Sequence, residues 1–185
     1  MKSLCKLLSL GLVALALAGC PHPPDPTKPT VVEEDWSFPA RIGTEPAVAL
    51  VAAPETVSVG QTFSLKLVCY NTDGMYGATV HLPYDPSRMR ISDVLAGPYS
   101  GVPHAVVVGT KEDQLGRVSF GSTYTDTTTS SKGSGVLFKV KAQAASTGVA
   151  QFVVDPADIA LLDRSGGPIA GKALLGRAVA TVVVR

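Results

Sequence analysis

From Pro46 onward, apolar residues recur at every second position of this chain. In QTFSLKLVC, Phe63, Leu65, Leu67 and Cys69 fall on one side, and Thr62, Ser64, Lys66 and Val68 on the other. GATVHLPY repeats the pattern with Ala78, Val80, Leu82 and Tyr84. GRVSFGSTY does so with Val118, Phe120, Ser122 and Tyr124, and GVLFKVKA with Val136, Phe138 and Val140. A period of two sends successive side chains to opposite faces of a pleated strand, so each stretch predicts a strand with one face in a core. VAQFVV and RAVATVVV add two late strands. The intervening PETVSVG, NTDG, DPS, KEDQLG, DTTTSSKGSG and DRSGG are rich in the Gly, Pro, Asp, Asn and Ser that favour turns, and DTTTSSKGSG reads as an exposed loop. About nine short strands without a helical period predict an all-β domain, a β-sandwich or jelly roll. No repeat of roughly 20–50 residues stands out, which argues against a solenoid or propeller.

One corner has its own chemistry. In Tyr84-Asp85-Pro86-Ser87, Pro86 fixes its own φ and biases Asp85 towards extended geometry, while an Asp side chain caps a local turn. Met89 and Ile91 then resume the inward alternation. Asp85 is therefore expected to shape a corner rather than to act as a catalytic acid.

Composition agrees with this picture. With 45% hydrophobic and 17% charged residues, 18 Gly and 14 Pro, the chain suits a β-rich domain better than a helical bundle. Val, Leu, Ile and Phe supply a core without help from metal or disulfide. A net charge of +1 gives no electrostatic case for nucleic acid, which requires a clustered basic surface. Apolar runs in the body are short and broken by Gly, Pro or charge, unlike a membrane-spanning helix. Cys69 has no partner in the body and is expected to be a small buried hydrophobe. Asp73, Asp85, Asp93, Asp113, Asp126, Asp155, Asp158 and Asp163 sit mostly in turns, with no His or Cys at a usable spacing, so no catalytic constellation is assembled. The spacing of Asp155, Asp158 and Asp163 lacks the ligand density of a calcium loop and is better explained by turns.

The N-terminal region carries an address. MKSLCKLLSLGLVALALAGC starts with Lys2 and Lys6 and continues into an apolar run too short to span a bilayer, the layout of an export signal that includes Cys5. Its last four residues, Leu17-Ala18-Gly19-Cys20, resemble the lipobox of bacterial lipoproteins. That resemblance implies a signal peptide over residues 1–19, cleavage before Cys20, and a diacylglycerol group on the Cys20 thiol holding the protein to a bacterial membrane in the cell envelope. Residues 20–45 follow as a tether. Five of the ten residues from Pro21 to Thr30 are Pro, so this part is expected to be an extended, semi-rigid spacer, with His22 solvated within it. Trp36, the only Trp, is expected to pack onto the domain edge or to stay exposed.

Residues 46–185 carry a second resemblance. Val59-Gly60-Gln61-Thr62-Phe63, then Gly74-Met75-Tyr76-Gly77-Ala78, then Tyr84-Asp85-Pro86-Ser87 follow the order and spacing of cohesin domains. GRVSFGSTYTD, GSGVLFKVKAQAASTGVAQFVV and LLDRSGGPI continue the match. The resemblance implies a jelly-roll β-sandwich and a non-catalytic module that binds dockerins, small calcium-containing helical modules borne by enzymes or other exported proteins. No cofactor is implied apart from the covalent lipid on Cys20, and any calcium belongs to the partner. In the family the partner lies across one flat sheet. Carried over by alternation, the contact residues are Gly77, Thr79 and His81 on one strand and Ser119, Gly121 and Thr123 on the next. Cellulosomal cohesins place Asn and Asp at the positions of Gly77 and Thr79, so this chain lacks that hydrogen-bonding pair. His81 is a candidate pH-sensitive contact. The alternatives are a carbohydrate-binding module of similar fold, which would need exposed coplanar aromatics that the body lacks, and a structural surface lipoprotein.

Overall fold

In a computed structural model, residues 33–41, 43–126, 128–169 and 178–185 are described, and those from Asp35 onward belong to one compact unit. Eleven strands make up that unit: β1 (Ala47–Ala53), β2 (Thr56–Val57), β3 (Thr62–Met75), β4 (Gly77–Pro83), β5 (Met89–Ala96), β6 (Ala105–Glu112), β7 (Arg117–Tyr124), β8 (Ser131–Ala144), β9 (Gly148–Val154), β10 (Ile159–Leu162) and β11 (Ala178–Val184). Among the described residues there is no α-helix, only three short 3-10 turns.

Two four-stranded sheets, β1-β3-β8-β5 and β10-β4-β7-β6, face each other, and a three-stranded sheet β2-β11-β9 adjoins them. The predicted inward residues meet between the sheets: Phe63, Leu65, Leu67 and Cys69 from β3, Val80 and Leu82 from β4, Val118 and Phe120 from β7, and Phe138 and Val140 from β8. Phe120 stacks on Phe138 with ring centroids 4.7 Å apart, joining the two sheets at their centre. β5 runs close to β6 at one side of the sandwich, while β11 approaches β1 and β9 approaches β4 at the other. Cys69 is wholly buried and free, and burial pushes its thiol up to about 12, so it is an inert core residue as expected. Tyr84 ends the corner with its hydroxyl on Asp113 Oδ1 at 2.5 Å, and Asp85 Oδ1 accepts from the Ser87 amide at 2.9 Å.

Three expectations change. Among the described residues the strands number eleven, not about nine, because the two-residue β2, the edge strand β6 and the four-residue β10 show too short or too mixed an alternation to stand out. NTDG is not a free turn, nor is all of DTTTSSKGSG a loop. β3 runs through to Met75 and pairs with β8 from Ser131, with register shifts between Cys69 and Thr72 and between Thr72 and Met75. Asn71 sits at φ +50°, and its amide donates to Ser134 Oγ at 3.0 Å, so a bulge absorbs the turn-forming residues.

The third change concerns the outer face of β1-β3-β8-β5. Alternation assigned Lys66 and Val68 to the side away from the core, yet both are buried. The segment from Asp35 to Pro39, expected to belong to the tether, lies across them. Trp36 and Phe38 pack with Val68, Tyr70 and Val136 in a second apolar cluster. Trp36 therefore sits on a sheet face, neither at an edge nor free.

Candidate functional site

The six residues carried over from the sequence come together on the outer face of β10-β4-β7-β6. In the antiparallel register of β4 and β7, Gly77 stands opposite Thr123, Thr79 opposite Gly121, and His81 opposite Ser119. Directly opposed residues share a face of the sheet, so the six form three adjacent rungs. Thr79 and Thr123 are exposed, while His81, Ser119 and Gly121 are half-buried. Gly77 is itself buried and contributes floor, not side chain. A Cβ at Gly121 would meet only the Ala78 carbonyl oxygen, at 4.0 Å, so the sheet surface there is bare.

The flanking strands extend each rung. β6 places Val106 beside Thr123 and Val108 beside Gly121, and β10 places Leu162 beside Gly77 and Ala160 beside Thr79. Val106 and Val108 are 55% and 56% exposed, an unusual state for two valines on one strand face. The sequence reading missed these four residues. The β-branched run AVVVGT was the available signal: with Val107 inward, Val106 and Val108 point out. At the Gly77 end, Tyr76, Gly77, Thr79, Thr123, Leu162 and Arg164 border a shallow depression of about 290 Å³.

The opposite end is polar. His81 Nδ1 lies 3.1 Å from Ser119 Oγ, which donates to Glu112 Oε1 at 2.5 Å. Arg117 donates to the same carboxylate, Nη2 to Oε2 at 2.7 Å. Arg117 first, then Ser119, hold the Glu112 carboxyl below its usual range. A hydroxyl has one proton, and a carboxylate only accepts, so the Ser119 proton goes to Glu112 and His81 Nδ1 is the donor to Ser119. The order His–Ser–Glu is wrong for a nucleophile, since the hydroxyl faces a weakly basic carboxylate and the imidazole is placed to donate to it, not to take its proton.

Other candidates resolve as structure. Asp163 Oδ1 accepts from the Ser165 and Gly167 amides, at 2.8 and 3.1 Å, and from the Ser165 hydroxyl, at 2.6 Å; these bonds keep its carboxyl below the ordinary range. It forms a turn. Among the described residues no group of three or more His, Cys, Asp and Glu could hold a metal. Cys20 and His22 lie outside the described residues.

The family model described as Cohesin domain matches residues 48–169. Similar solved structures include a type II cohesin domain from the cellulosome of Acetivibrio cellulolyticus, at 17% identity and TM-score 0.64, covering 74% of this chain and 95% of that one. A type II cohesin–X–dockerin complex (an interface mutant) from the same organism is similar at 17% identity and TM-score 0.62, covering 72% and 98%. A non-cellulosomal cohesin from the archaeon Archaeoglobus fulgidus is similar at 16% identity and TM-score 0.59, covering 75% and 91%. No curated protein matches.

Proposed function

The chain belongs to the cohesin domain family, and from that premise we propose that it docks a dockerin-like or other exported protein across the outer face of β10-β4-β7-β6. The fold is that of a non-catalytic protein-binding module. One observation carries the choice of face: Val106 and Val108 stand exposed beside the bare sheet surface at Gly121. A flat surface with few long side chains loses little side-chain freedom when covered, and exposed valines gain by burial. The occupant that fits is an element with an apolar face, such as a helix, laid along the rungs, with an acceptor or donor near His81. The six face residues include no Phe, Tyr or Trp, so none of them offers the coplanar platform that sugar stacking needs.

The proposal extends to the address. Cys20 bears a diacylglycerol group that holds the module to a bacterial membrane, and burying acyl chains at ~0.8 kcal/mol per methylene makes such an anchor firm. A Cys20→Ser chain is expected to leave the membrane fraction, and its retention there would defeat the anchor.

The docking test uses the full chain as bait for exported proteins of its own organism, with and without a calcium chelator. The expected capture is lost on chelation and lost with Gly121→Arg, a substitution that has room to stand clear of the sheet. Capture indifferent to chelator would argue against a dockerin. Retention on polysaccharide would favour the carbohydrate-binding alternative.

A further inference from the structure

On the other sheet, Lys66 of β3 and Lys139 of β8 stand directly opposite each other in the antiparallel register. Each is only 3% exposed. Like charges so opposed repel, and a buried ammonium needs an acceptor or counter-charge. The segment Asp35–Pro39 answers both lysines. Lys66 Nζ donates to Asp35 Oδ2 and to the Ser37 carbonyl, each at 2.7 Å. Lys139 Nζ lies 4.4 Å from the centroid of the Trp36 ring. Phe38 meets Tyr70 edge-on at 5.8 Å, and the Tyr70 hydroxyl donates to the Pro39 carbonyl at 2.8 Å.

The contacts follow one another along the segment as carboxylate, ring, carbonyl, ring, carbonyl. The segment joins no sheet, so side chains of β3 and β8 hold it rather than a strand ladder. The chemistry of the face beneath is informative. A sheet face meant for permanent cover is served by apolar side chains, as the core side of β3 is. Two lysines beside Val68, Val136 and Tyr70 give instead a face that water can solvate when the segment lifts, and that selects an acidic and aromatic occupant when it returns. The ionic end of this contact is open to solvent, with the Asp35 side chain 66% exposed.

We propose that the outer face of β1-β3-β8-β5 is a second binding site, separate from the docking face, that takes an extended peptide of acidic–aromatic–x–aromatic–Pro chemistry. Asp35–Pro39 is its resident, releasable ligand. Because the segment is joined to β1 by a short connection, a free peptide competes with an effective concentration on the order of millimolar and is largely excluded from the intact chain.

The test titrates a synthetic peptide of the sequence Glu33 to Ala40 into two full-length chains by calorimetry: the unaltered one, and Trp36→Ala/Phe38→Ala, which empties the site. The double variant is expected to bind the peptide saturably at one site, and the unaltered chain at least about tenfold more weakly. Adding Lys66→Ala to the double variant is expected to abolish binding. No binding by a double variant that still unfolds cooperatively, or equal binding by both chains, overturns the proposal. Should the double variant fail to fold, Asp35→Lys keeps both rings and breaks only the ionic end. It is expected to expose the single Trp to acrylamide quenching, and unchanged quenching overturns the proposal. None of these readouts involves the docking partner, so this proposal and the docking proposal fail independently.

Discussion

Asp35 illustrates how a single residue changes role once the fold is known. In sequence it is one acid of a run assigned to the tether; in the structure it is the counter-charge of a buried lysine. Its hydrogen bond from Lys66, and then those from Ser37, lower its carboxyl well below the usual value near 3.8. A group depressed in the folded state contributes stability that is present above its unfolded value and lost as pH falls through the folded one. The melting temperature of the unaltered chain is therefore expected to exceed that of Asp35→Asn at neutral pH, with the gap closing as pH drops below the ordinary carboxylate range. A gap independent of pH would show that the carboxylate charge contributes nothing. That Thr79, Thr123, Ser119, His81, Gly77 and Gly121 share one outward face was legible from alternation, because a period of two fixes which side each residue takes once a strand is recognised, while the choice of these two strands came from the cohesin resemblance. What alternation leaves open is depth. Gly77 became floor rather than contact, and the bonding of His81 through Ser119 to Glu112 depended on a cross-strand register that no sequence pattern states.

At the scale of elements, strands with a sustained alternation were legible, β3 and β8 among them, but whether their outer faces are covered was not. β3 and β8 are covered on both faces, which hides the alternation in their burial. β6 carries valines on both faces, with Val107 packed on the core and Val106 and Val108 outside, so it resembles an apolar run rather than a half-buried strand. Its outward valines are the apolar anchors of the docking face proposed above. Val106→Ser/Val108→Ser is expected to weaken partner binding by about 2 kcal/mol, roughly thirtyfold in Kd, with little effect on thermal stability. Titration calorimetry against the partner checks this, and unchanged affinity would move the interface off β6. A different constraint acts where β5 ends. The Gly97 amide donates to the Leu137 carbonyl at 2.9 Å, and a Cβ at Gly97 would fall 2.1 Å from the Val136 carbonyl oxygen. Gly97→Ala must push β5 away from β8 and is expected to destabilise the sandwich by about 2 kcal/mol or more. Urea unfolding measures this, and an unaltered midpoint would contradict the close approach.

For the molecule as a whole, the two large sheets divide the work. Both line the shared core, but their outer faces differ. The face of β1-β3-β8-β5 is occupied by the chain's own Asp35–Pro39 segment, and that of β10-β4-β7-β6 is open. The face proposed for docking is thus the one that the Asp35–Pro39 segment leaves uncovered. The jelly-roll architecture was legible because strand period, turn chemistry and motif order agree along the whole body. The covering segment was not, since Asp-Trp-Ser-Phe-Pro has no period and follows a proline-rich stretch. The most direct measurement of the central claim compares capture of exported partners by the unaltered full chain with capture by Gly121→Arg and by Trp36→Ala/Phe38→Ala, each with and without chelator. The docking account predicts calcium-dependent capture by the unaltered chain and by the Trp36/Phe38 variant, and none by Gly121→Arg. Capture that survives Gly121→Arg but is lost with the Trp36/Phe38 variant would place the partner on the opposite sheet and contradict it.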